Sequence, residues 1–227
     1  MYTKILAGID EAGRGPLIGD MFIALVAMEN RYLPALQVAG VNDSKKISKT
    51  KREQLLPIIL SLSSLVIVNR IQPNQIDEYN INVLEMNAIL DLIRRAQKLI
   101  YIDEVYIDAF TDPGKITEKV KSVDNDLKIF AEFKADSKYV VVGAASIVAK
   151  VLRDKHIESL KAIYGNFGSG YPSDRKTIEW LKNYYRLHKE IPPIVRRSWA
   201  TVKKLLHEEN RTTKTLFDYT CYRETSK

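Results

Sequence analysis

Residues 8–16 read GIDEAGRGP, and the interpretation of the whole chain begins from this stretch. Two carboxylates, Asp10 and Glu11, close an apolar run whose pattern is typical of a strand. A charge at the end of a buried strand is costly without a partner, so these acids indicate a nearby cation such as a metal ion. Gly13 and Gly15 let the backbone approach a ligand closely. Arg14 between them offers a planar fork that suits phosphate. The stretch therefore indicates a metal ion next to a phosphate group.

Two other interpretations of this stretch stay open at this point. The two acids could be a solvated pair where a strand becomes a loop. Gly13, Gly15 and Gly19 could also form a loose dinucleotide-binding fingerprint. The fingerprint is disfavoured, because acids directly before the glycines repel a pyrophosphate. In addition, the residues after Pro16 are apolar and β-branched rather than the start of a helix.

Hydrophobic patterning predicts a chain in which strands and helices alternate. The predicted strands cover residues 4–10, 21–28, 65–71, 105–110 and 128–133. Helical spacing is found over residues 73–99, 140–164, 173–187 and 197–209. The second strand is a continuous apolar run, which is typical of burial on both faces. Residues 40–53 form a polar, lysine-rich loop that enters a helix, where Thr50 and Glu53 have the spacing of a capping box.

Two further aspartates stand out by their positions. Asp108 lies inside the fourth predicted strand, and a lone Asp in a buried strand usually has a specific partner. Asp136 follows the fifth strand. A metal ion is one explanation for both, because hard cations such as Mg²⁺ and Mn²⁺ select oxygen ligands. The alternatives are that Asp108 caps a loop amide and that Asp136 is the N-cap of the next helix.

Composition narrows the class of protein. The chain has 227 residues, 45% of them hydrophobic, which suits one main core with a smaller appended unit. Its net charge is +7, and residues 176–214 carry ten Lys and Arg against four Asp and Glu. This excess favours a polyanionic partner, although a basic solvated helical face is the alternative. The one cysteine, Cys221, and three scattered histidines make a zinc site unexpected. No apolar run is long enough to cross a bilayer, so we expect a cytoplasmic protein.

Six motifs resemble the type 2 ribonucleases H, ribonuclease HII, in their archaeal form. In chain order they are GIDEAGRGP, DSKKISKTKRE, VYIDAF, KADSKY, AASIVAK and GSGYPSD. The resemblance runs from about residue 5 to about residue 205. It implies an α/β, RNase H-like fold with a mixed five-stranded sheet in the order 3-2-1-4-5, flanked by helices. It also implies a catalytic domain over residues 1–165, a helical substrate-holding subdomain over 166–210 and a tail over 211–227.

The same resemblance implies roles for particular residues. The four active-site carboxylates of the family, which hold two divalent ions, Mg²⁺ or Mn²⁺, fall on Asp10, Glu11, Asp108 and Asp136. The Gly-Arg-Gly motif that senses the ribose 2′-hydroxyl falls on Gly13, Arg14 and Gly15. Substrate contacts are expected at Ser44 and Lys45 in the lysine-rich loop and at Tyr171, which would pack on the sugar past the cut. The basic C-terminal region adds Arg196 and Arg197 as predicted phosphate contacts.

The expected function is that of an endoribonuclease acting on RNA–DNA hybrids, including single ribonucleotides embedded in duplex DNA. Cleavage by in-line attack of water would leave 3′-hydroxyl and 5′-phosphate ends. A non-catalytic hybrid-binding module is disfavoured, because a binder would not keep four mutually repelling carboxylates. A phosphotransferase is disfavoured, because nothing matches GxxxxGK[ST]. Residues 213–220 partly resemble a sliding-clamp-binding peptide, and a short element packed on the body is the alternative.

Overall fold

One mixed sheet contains all five strands that the sequence predicts, in a computed structural model that describes residues 3–41 and 47–209. The strands are β1 (Ile5–Ala12), β2 (Met21–Glu29), β3 (Leu65–Ile71), β4 (Glu104–Asp108) and β5 (Lys128–Glu132). Their order is β3-β2-β1-β4-β5, as expected. Strand β1 pairs antiparallel with β2 and parallel with β4, and β4 pairs parallel with β5. The predicted fold class is confirmed.

The register between β1 and β4 brings two of the predicted site residues together. Ile9 pairs with Ile107 across the parallel ladder, so the next residue on each strand is an aspartate. Side chains alternate between the two faces of a sheet, so Asp10 and Asp108 leave neighbouring strands on the same face. Asp108 is the last residue of β4, whereas the sequence predicted a strand that continues to residue 110.

Helices connect the strands from β2 to β5 and make up most of the described chain after β5. They are α1 (Leu33–Ala39), α2 (Lys49–Leu62), α3 (Pro73–Glu78), α4 (Ile81–Gln97), α5 (Pro113–Lys121), α6 (Ala135–Lys138), α7 (Val140–Tyr164) and α8 (Arg175–His188). Residues 200–209 are also helical. The predicted helices over 140–164, 173–187 and 197–209 are confirmed to within a few residues at their ends.

The core joins the sheet to α2 and α7. Strand β2 is buried along almost its whole length, as its continuous apolar run predicts. Its residues Val26 and Met28 belong to one cluster with Leu55 and Ile59 of α2 and with the small apolar residues of α7. Burial of these side chains is the main stabilising contribution to the domain. Helix α7 therefore holds a central position against the strands that carry the acids.

A glycine explains how closely α7 approaches β1. A Cβ atom built on Gly8 would lie 2.3 Å from the carbonyl oxygen of Val141, a distance that no real side chain shows. Only glycine therefore allows the start of α7 to lie directly on β1. This contact places the AASIVAK segment of α7 beside the end of β1.

Two local predictions need correction. Ser48, not Thr50, is the N-cap of α2, because the Ser48 side chain accepts a hydrogen bond from the amide of Lys51. The capping box at Thr50 and Glu53 is therefore wrong. The helical spacing over residues 73–99 corresponds to two helices, α3 and α4. Asn80 caps the second of them by accepting a hydrogen bond from the amide of Asn82.

The chain divides into two compact units. The first comprises Met1–Arg14, Asp20–Ile71 and Tyr79–Glu158, and it contains the whole sheet. The second comprises Gly15–Gly19, Gln72–Glu78 and Ser159–Lys227. The sequence placed the boundary of a substrate-holding subdomain at residue 166, and that functional division stays a prediction.

Within the second unit, the short segment after Gly15 is held from two sides. The amide of Leu17 donates to the carbonyl oxygen of Gly170 at 2.7 Å, and the amide of Gly19 donates to that of Ile194 at 2.8 Å. Ile18 also forms an isolated bridge with Val195. The segment is therefore bonded both to the GSGYPSD loop and to the loop that precedes residues 200–209.

Candidate active site

Three of the four predicted carboxylates form one cluster. Each of Asp10, Asp108 and Asp136 has an oxygen atom within 4.8 Å of an oxygen of the other two. Asp10 is 5% exposed, Asp136 is 1% exposed and Asp108 is half-buried. Three carboxylates so close together, two of them buried, repel one another, so the arrangement calls for a bound cation.

The backbone that follows β5 brings Asp136 to the two strand acids. The Oδ1 atom of Asp108 accepts a hydrogen bond of 2.8 Å from the amide of Ala135, the first residue of α6. Asp108 therefore does cap a loop amide, and the amide belongs to the turn that carries Asp136. Metal binding and amide capping, which the sequence left as alternatives, are compatible because a carboxylate has a second oxygen besides the one that accepts from Ala135.

Asp136 does not have the capping role that the sequence offered as its alternative. The N-cap position of α6 is Lys134, which adopts the left-handed conformation at φ 60°. Asp136 lies inside the first turn of α6 and is buried. Because Lys134 makes no side-chain cap, the turn is held by the bond from Ala135 to Asp108.

The electrostatics of the cluster centre on Asp10. Burial raises the pKa of Asp10 well above its ordinary value, and the charges of Glu11 and Asp108 raise this pKa further. The Oδ1 atom of Asp10 accepts a hydrogen bond of 2.7 Å from the amide of Glu11. Glu11 lies outside the three-carboxylate cluster, although its charge acts on Asp10. Its predicted role as a ligand stays a prediction.

Two polar residues of α7 also act on Asp10, and sequence reasoning did not single them out. A hydrogen bond from Ser146 and the charge of Lys150 both lower the pKa of Asp10, in opposition to its burial. The ammonium of Lys150 donates to the hydroxyl oxygen of Ser146 at 2.8 Å. The available signal was a Ser and a Lys four residues apart, on one face of a helix that is otherwise small and apolar.

The donor set fits a hard divalent cation. All three clustered side chains offer only carboxylate oxygens, and no histidine or cysteine joins them among residues 3–41 and 47–209. Oxygen ligands of this kind select Mg²⁺, Mn²⁺ or Ca²⁺ rather than zinc. A cation would also offset the repulsion that raises the pKa of Asp10.

The turn that follows the acids depends on Gly13. Its φ is 90°, a backbone angle that residues with a side chain rarely adopt. A Cβ atom there would also lie 2.8 Å from the carbonyl oxygen of Asp20. Gly13 is therefore required by the fold of the first unit.

Arg14 makes contacts within the first unit that the sequence did not predict. Its guanidinium forms an ion pair with the buried carboxylate of Glu85 and donates a hydrogen bond to Asn82. It also lies 5.3 Å from the ring centroid of Phe110. Residues of α4 therefore bind the guanidinium that the sequence predicted to suit phosphate, and a contact between Arg14 and substrate stays a prediction. Glu85 was not identified from the sequence.

Gly15 and Tyr171 lie together in the second unit. A Cβ atom on Gly15 would have one neighbour within 4 Å among the described residues, the Cε1 atom of Tyr171 at 3.7 Å, which is ordinary contact. Neither the conformation nor the packing of the described chain requires a glycine at position 15. Tyr171 is 38% exposed.

Arg196 and Arg197, predicted together as phosphate contacts, differ completely in the structure. Arg196 is fully buried, and its Nε and Nη2 atoms donate to the carbonyl oxygen of Gly19 at 3.2 and 2.9 Å. The prediction for Arg196 needs correction, because a fully buried guanidinium does not reach a phosphate. Arg197 is exposed, and its Nη2 atom donates to the carbonyl oxygen of Ile191 at 2.7 Å.

Some predicted features fall outside the described residues. They are Ser44 and Lys45 in the lysine-rich loop and the tail from residue 211 with its clamp-like segment. Across residues 3–41 and 47–209, the helices are all too short or too polar to span a bilayer.

A mixed sheet in this strand order, with buried acids where two neighbouring strands end, defines a metal-dependent nuclease of RNase H-like fold. A family model described as Ribonuclease HII matches residues 7–202. The chain belongs to the ribonuclease HII family, and it is a metal-dependent ribonuclease.

Individual relatives agree with this assignment. A ribonuclease HII of Thermococcus onnurineus is 45% identical over 204 residues, which are 88% of this chain and 89% of that protein. The crystal structure of the ribonuclease H2 from Pyrococcus horikoshii OT3 matches with a TM-score of 0.84 at 39% identity and covers 91% of this chain and 99% of that chain. The structure of a PCNA:RNase HII complex from Archaeoglobus fulgidus matches with a TM-score of 0.79 at 38% identity and covers 88% and 96% of the two chains.

Proposed function

We propose that this ribonuclease hydrolyses the RNA strand of RNA–DNA hybrids and cuts on the 5′ side of single ribonucleotides in duplex DNA. The ends left would be a 3′-hydroxyl and a 5′-phosphate, and the role would be removal of ribonucleotides during DNA replication and repair. The observation that carries this proposal is the buried cluster of Asp10, Asp108 and Asp136. Membership of the ribonuclease HII family supports the choice of substrate.

The chemistry would depend on divalent cations. Two Mg²⁺ or Mn²⁺ ions supply, when bound, a clamp for the attacking and leaving oxygens of a phosphodiester. Asp10, Asp108 and Asp136 would hold them, with Glu11 as the fourth carboxylate. Ser146 and Lys150 favour the ionised form of Asp10, which is the form that binds a cation.

Recognition of the ribose would use the backbone at Gly13–Gly15. The 2′-hydroxyl is both a donor and an acceptor, and it distinguishes RNA from DNA at one position. The space above Gly15 supports this role, because the described chain gives no other reason for a glycine there. Tyr171, beside Gly15, would pack on the neighbouring deoxyribose. Arg14 would support this recognition indirectly, because its ion pair with Glu85 holds the Gly-Arg-Gly turn in place.

The polyanionic partner is supported by the charge of the chain, which is +7 overall. Ser44, Lys45 and Arg197 would contact substrate phosphates. Residues 213–220 would bind a sliding clamp, a proposal that the PCNA:RNase HII complex of the Archaeoglobus fulgidus relative supports.

A gel assay tests the proposed function. Three labelled duplexes are incubated with Mg²⁺ and without ATP: an RNA–DNA hybrid, a DNA duplex with one ribonucleotide, and an all-DNA duplex. We expect many cuts in the hybrid, one cut 5′ of the lone ribonucleotide and none in DNA. Tyr171→Ala should lower cleavage of the second duplex, whereas Tyr171→Phe should retain it because the ring remains. Cleavage of the hybrid with the single-ribonucleotide duplex left intact would contradict the proposed specificity.

A further inference from the structure

A cavity of about 400 Å³ lies between α4, the residues that follow β4, and α5. This volume falls within the range of roughly 300–1,000 Å³ that is usual for ligand pockets. No role proposed above uses this cavity. All of its lining residues belong to the first compact unit.

The wall of the cavity is apolar and includes one aromatic ring. Phe110 and Met86 are half-buried there, and Val83 on α4 is 54% exposed. An aromatic ring and a thioether provide a surface that suits the flat face of a planar group. Asn87 and Thr111 add polar atoms to the lining.

The rim of the cavity is positively charged. Lys115 and Lys119 both line it, and they are four residues apart on α5 and so lie on the same face of that helix. Both are exposed, and within the part of the chain that the structure describes neither ammonium group has an ion pair or a hydrogen bond. Glu85 is bound to Arg14, so its charge is already offset. The lining therefore complements an anion attached to an apolar, planar group.

The cavity is connected to the candidate active site through two side chains. Phe110 lies two residues after Asp108, at the end of β4 where the acidic cluster forms. The guanidinium of Arg14 lies over the Phe110 ring and also binds Asn82, another residue of the lining. The lining of the cavity therefore includes a residue that follows the acidic end of β4 by two positions.

We propose that the cavity binds an unpaired nucleotide of the substrate, with its base against Phe110 and Met86 and its phosphate at Lys115 and Lys119. This inference rests on the proposed function, because it takes a nucleic acid as the substrate. The nucleotide has to be unpaired, because base stacking in a duplex covers both faces of every internal base. An aromatic side chain binds any unpaired base through its π-face, so the site has little preference for sequence. The enzyme would therefore bind hybrids with a single-stranded extension more tightly than fully paired ones.

Binding measurements on matched duplexes test this inference. The Asp108→Asn enzyme is titrated against an RNA–DNA hybrid without an extension and against the same hybrid with a four-nucleotide extension at each end in turn. Fluorescence anisotropy at one fixed salt concentration gives the dissociation constants. We expect one extended hybrid to bind on the order of tenfold more tightly, the effect of stacking one base. An extension of abasic nucleotides, which keeps the phosphates, should lose most of that gain.

Variants of the cavity residues distinguish binding in the cavity from nonspecific electrostatic attraction between the protein and the nucleic acid. The double variant Lys115→Gln with Lys119→Gln, and separately Val83→Glu, should abolish the gain from the extension while binding of the fully paired hybrid changes little. The matched control is Lys98→Gln with Lys121→Gln, which removes the same charge from exposed positions outside the cavity and should keep the gain.

Three outcomes would overturn the inference: equal affinity for paired and extended hybrids, full retention of the gain by the abasic extension, or equal losses in the cavity and control variants. Because the readout is a ratio of affinities, it does not require cleavage. A failure of the proposed ribonuclease activity would therefore leave this ratio measurable, and a ratio of one would leave the cleavage assay unaffected.

Discussion

Asp108 accepts a hydrogen bond from Ala135 and is proposed to bind a metal ion, and a single substitution separates the two roles. Asp108→Asn keeps an oxygen that can accept the hydrogen bond from Ala135 but removes the charge. We expect Mg²⁺-dependent cleavage to fall more than ~10²-fold, beyond the roughly 10–100-fold cost of losing an outer partner of a metal ligand. The thermal midpoint should stay the same or rise, because the charge that acts on Asp10 is gone.

Cleavage rates and thermal denaturation curves, measured on the same preparations, check this expectation. Asp126→Asn is the matched control, since Asp126 is exposed and lies outside the acidic cluster. An Asp108→Asn protein that cleaves normally would leave amide capping as the only role of Asp108, and one that unfolds would contradict the expected stability.

Asp10 makes the stability of the metal-free protein depend on pH in a defined direction. Its pKa is higher in the folded state than in the unfolded chain. Between these two pKa values, the folded protein therefore keeps a proton on Asp10 that the unfolded chain has lost. The contribution of Asp10 to stability is therefore intact below the unfolded pKa and is lost as the pH rises through the raised folded pKa. Asp10→Asn removes this titration, so the variant should gain stability relative to the wild type as the pH rises.

Urea denaturation at several pH values between 4 and 7, in the presence of a chelator, measures this difference. Each unit by which the pKa is raised corresponds to about 1.4 kcal/mol. Carboxylates whose pKa is lowered, such as Glu104 and Asp20, titrate alike in both proteins and cancel in the comparison. A difference in unfolding free energy that does not change with pH would show that Asp10 is not the raised group.

At the level of a single turn, substitution by alanine should lower the stability of the protein at Gly13 and leave it unchanged at Gly15. Gly13→Ala meets both an unfavourable φ of 90° and the carbonyl of Asp20, so it should cost at least ~1–2 kcal/mol of stability. Gly15→Ala meets only ordinary contact and should leave stability unchanged. Because we propose that the ribose occupies the space above Gly15, Gly15→Val should abolish the cut at a single ribonucleotide. Chemical denaturation and the gel assay on each variant test this contrast.

At the scale of the whole molecule, binding of a polyanion should weaken as salt rises, and two adjacent arginines should differ in their effect. Arg197→Ala should reduce the slope of log affinity against log salt by about 0.9, the effect of one lost phosphate contact. Arg196→Ala should leave the slope unchanged and destabilise the fold by roughly 1–3 kcal/mol, because the buried carbonyl of Gly19 loses its donor. Salt titrations of hybrid binding, paired with denaturation curves, distinguish the two. Equal slopes for wild type and Arg197→Ala would place Arg197 on a solvated face.

The strands, the long buried helix and the fold class could be predicted before any coordinates were known. Apolar runs and alternation report directly on which local structure a segment adopts, so β2 and α7 could be predicted within a residue or two. The acids at Asp10 and Asp108 were visible for a related reason, because a carboxylate that closes an apolar strand is costly without a partner. The motifs added the strand order, which the sheet confirms.

The pairing of the polar side chains, in contrast, became visible only in the folded chain. Arg14 and Glu85 are 71 positions apart, and Arg196 and Gly19 are 177 positions apart, so no local pattern connects them. Arg196 and Arg197 look alike in the sequence, yet one is fully buried and the other is exposed. Ser146 and Lys150 lower the pKa of Asp10 because α7 lies directly on β1 at Gly8. The physical reason is that the burial of a polar group, and the partner that offsets its cost, depend on segments that meet only when the chain has folded.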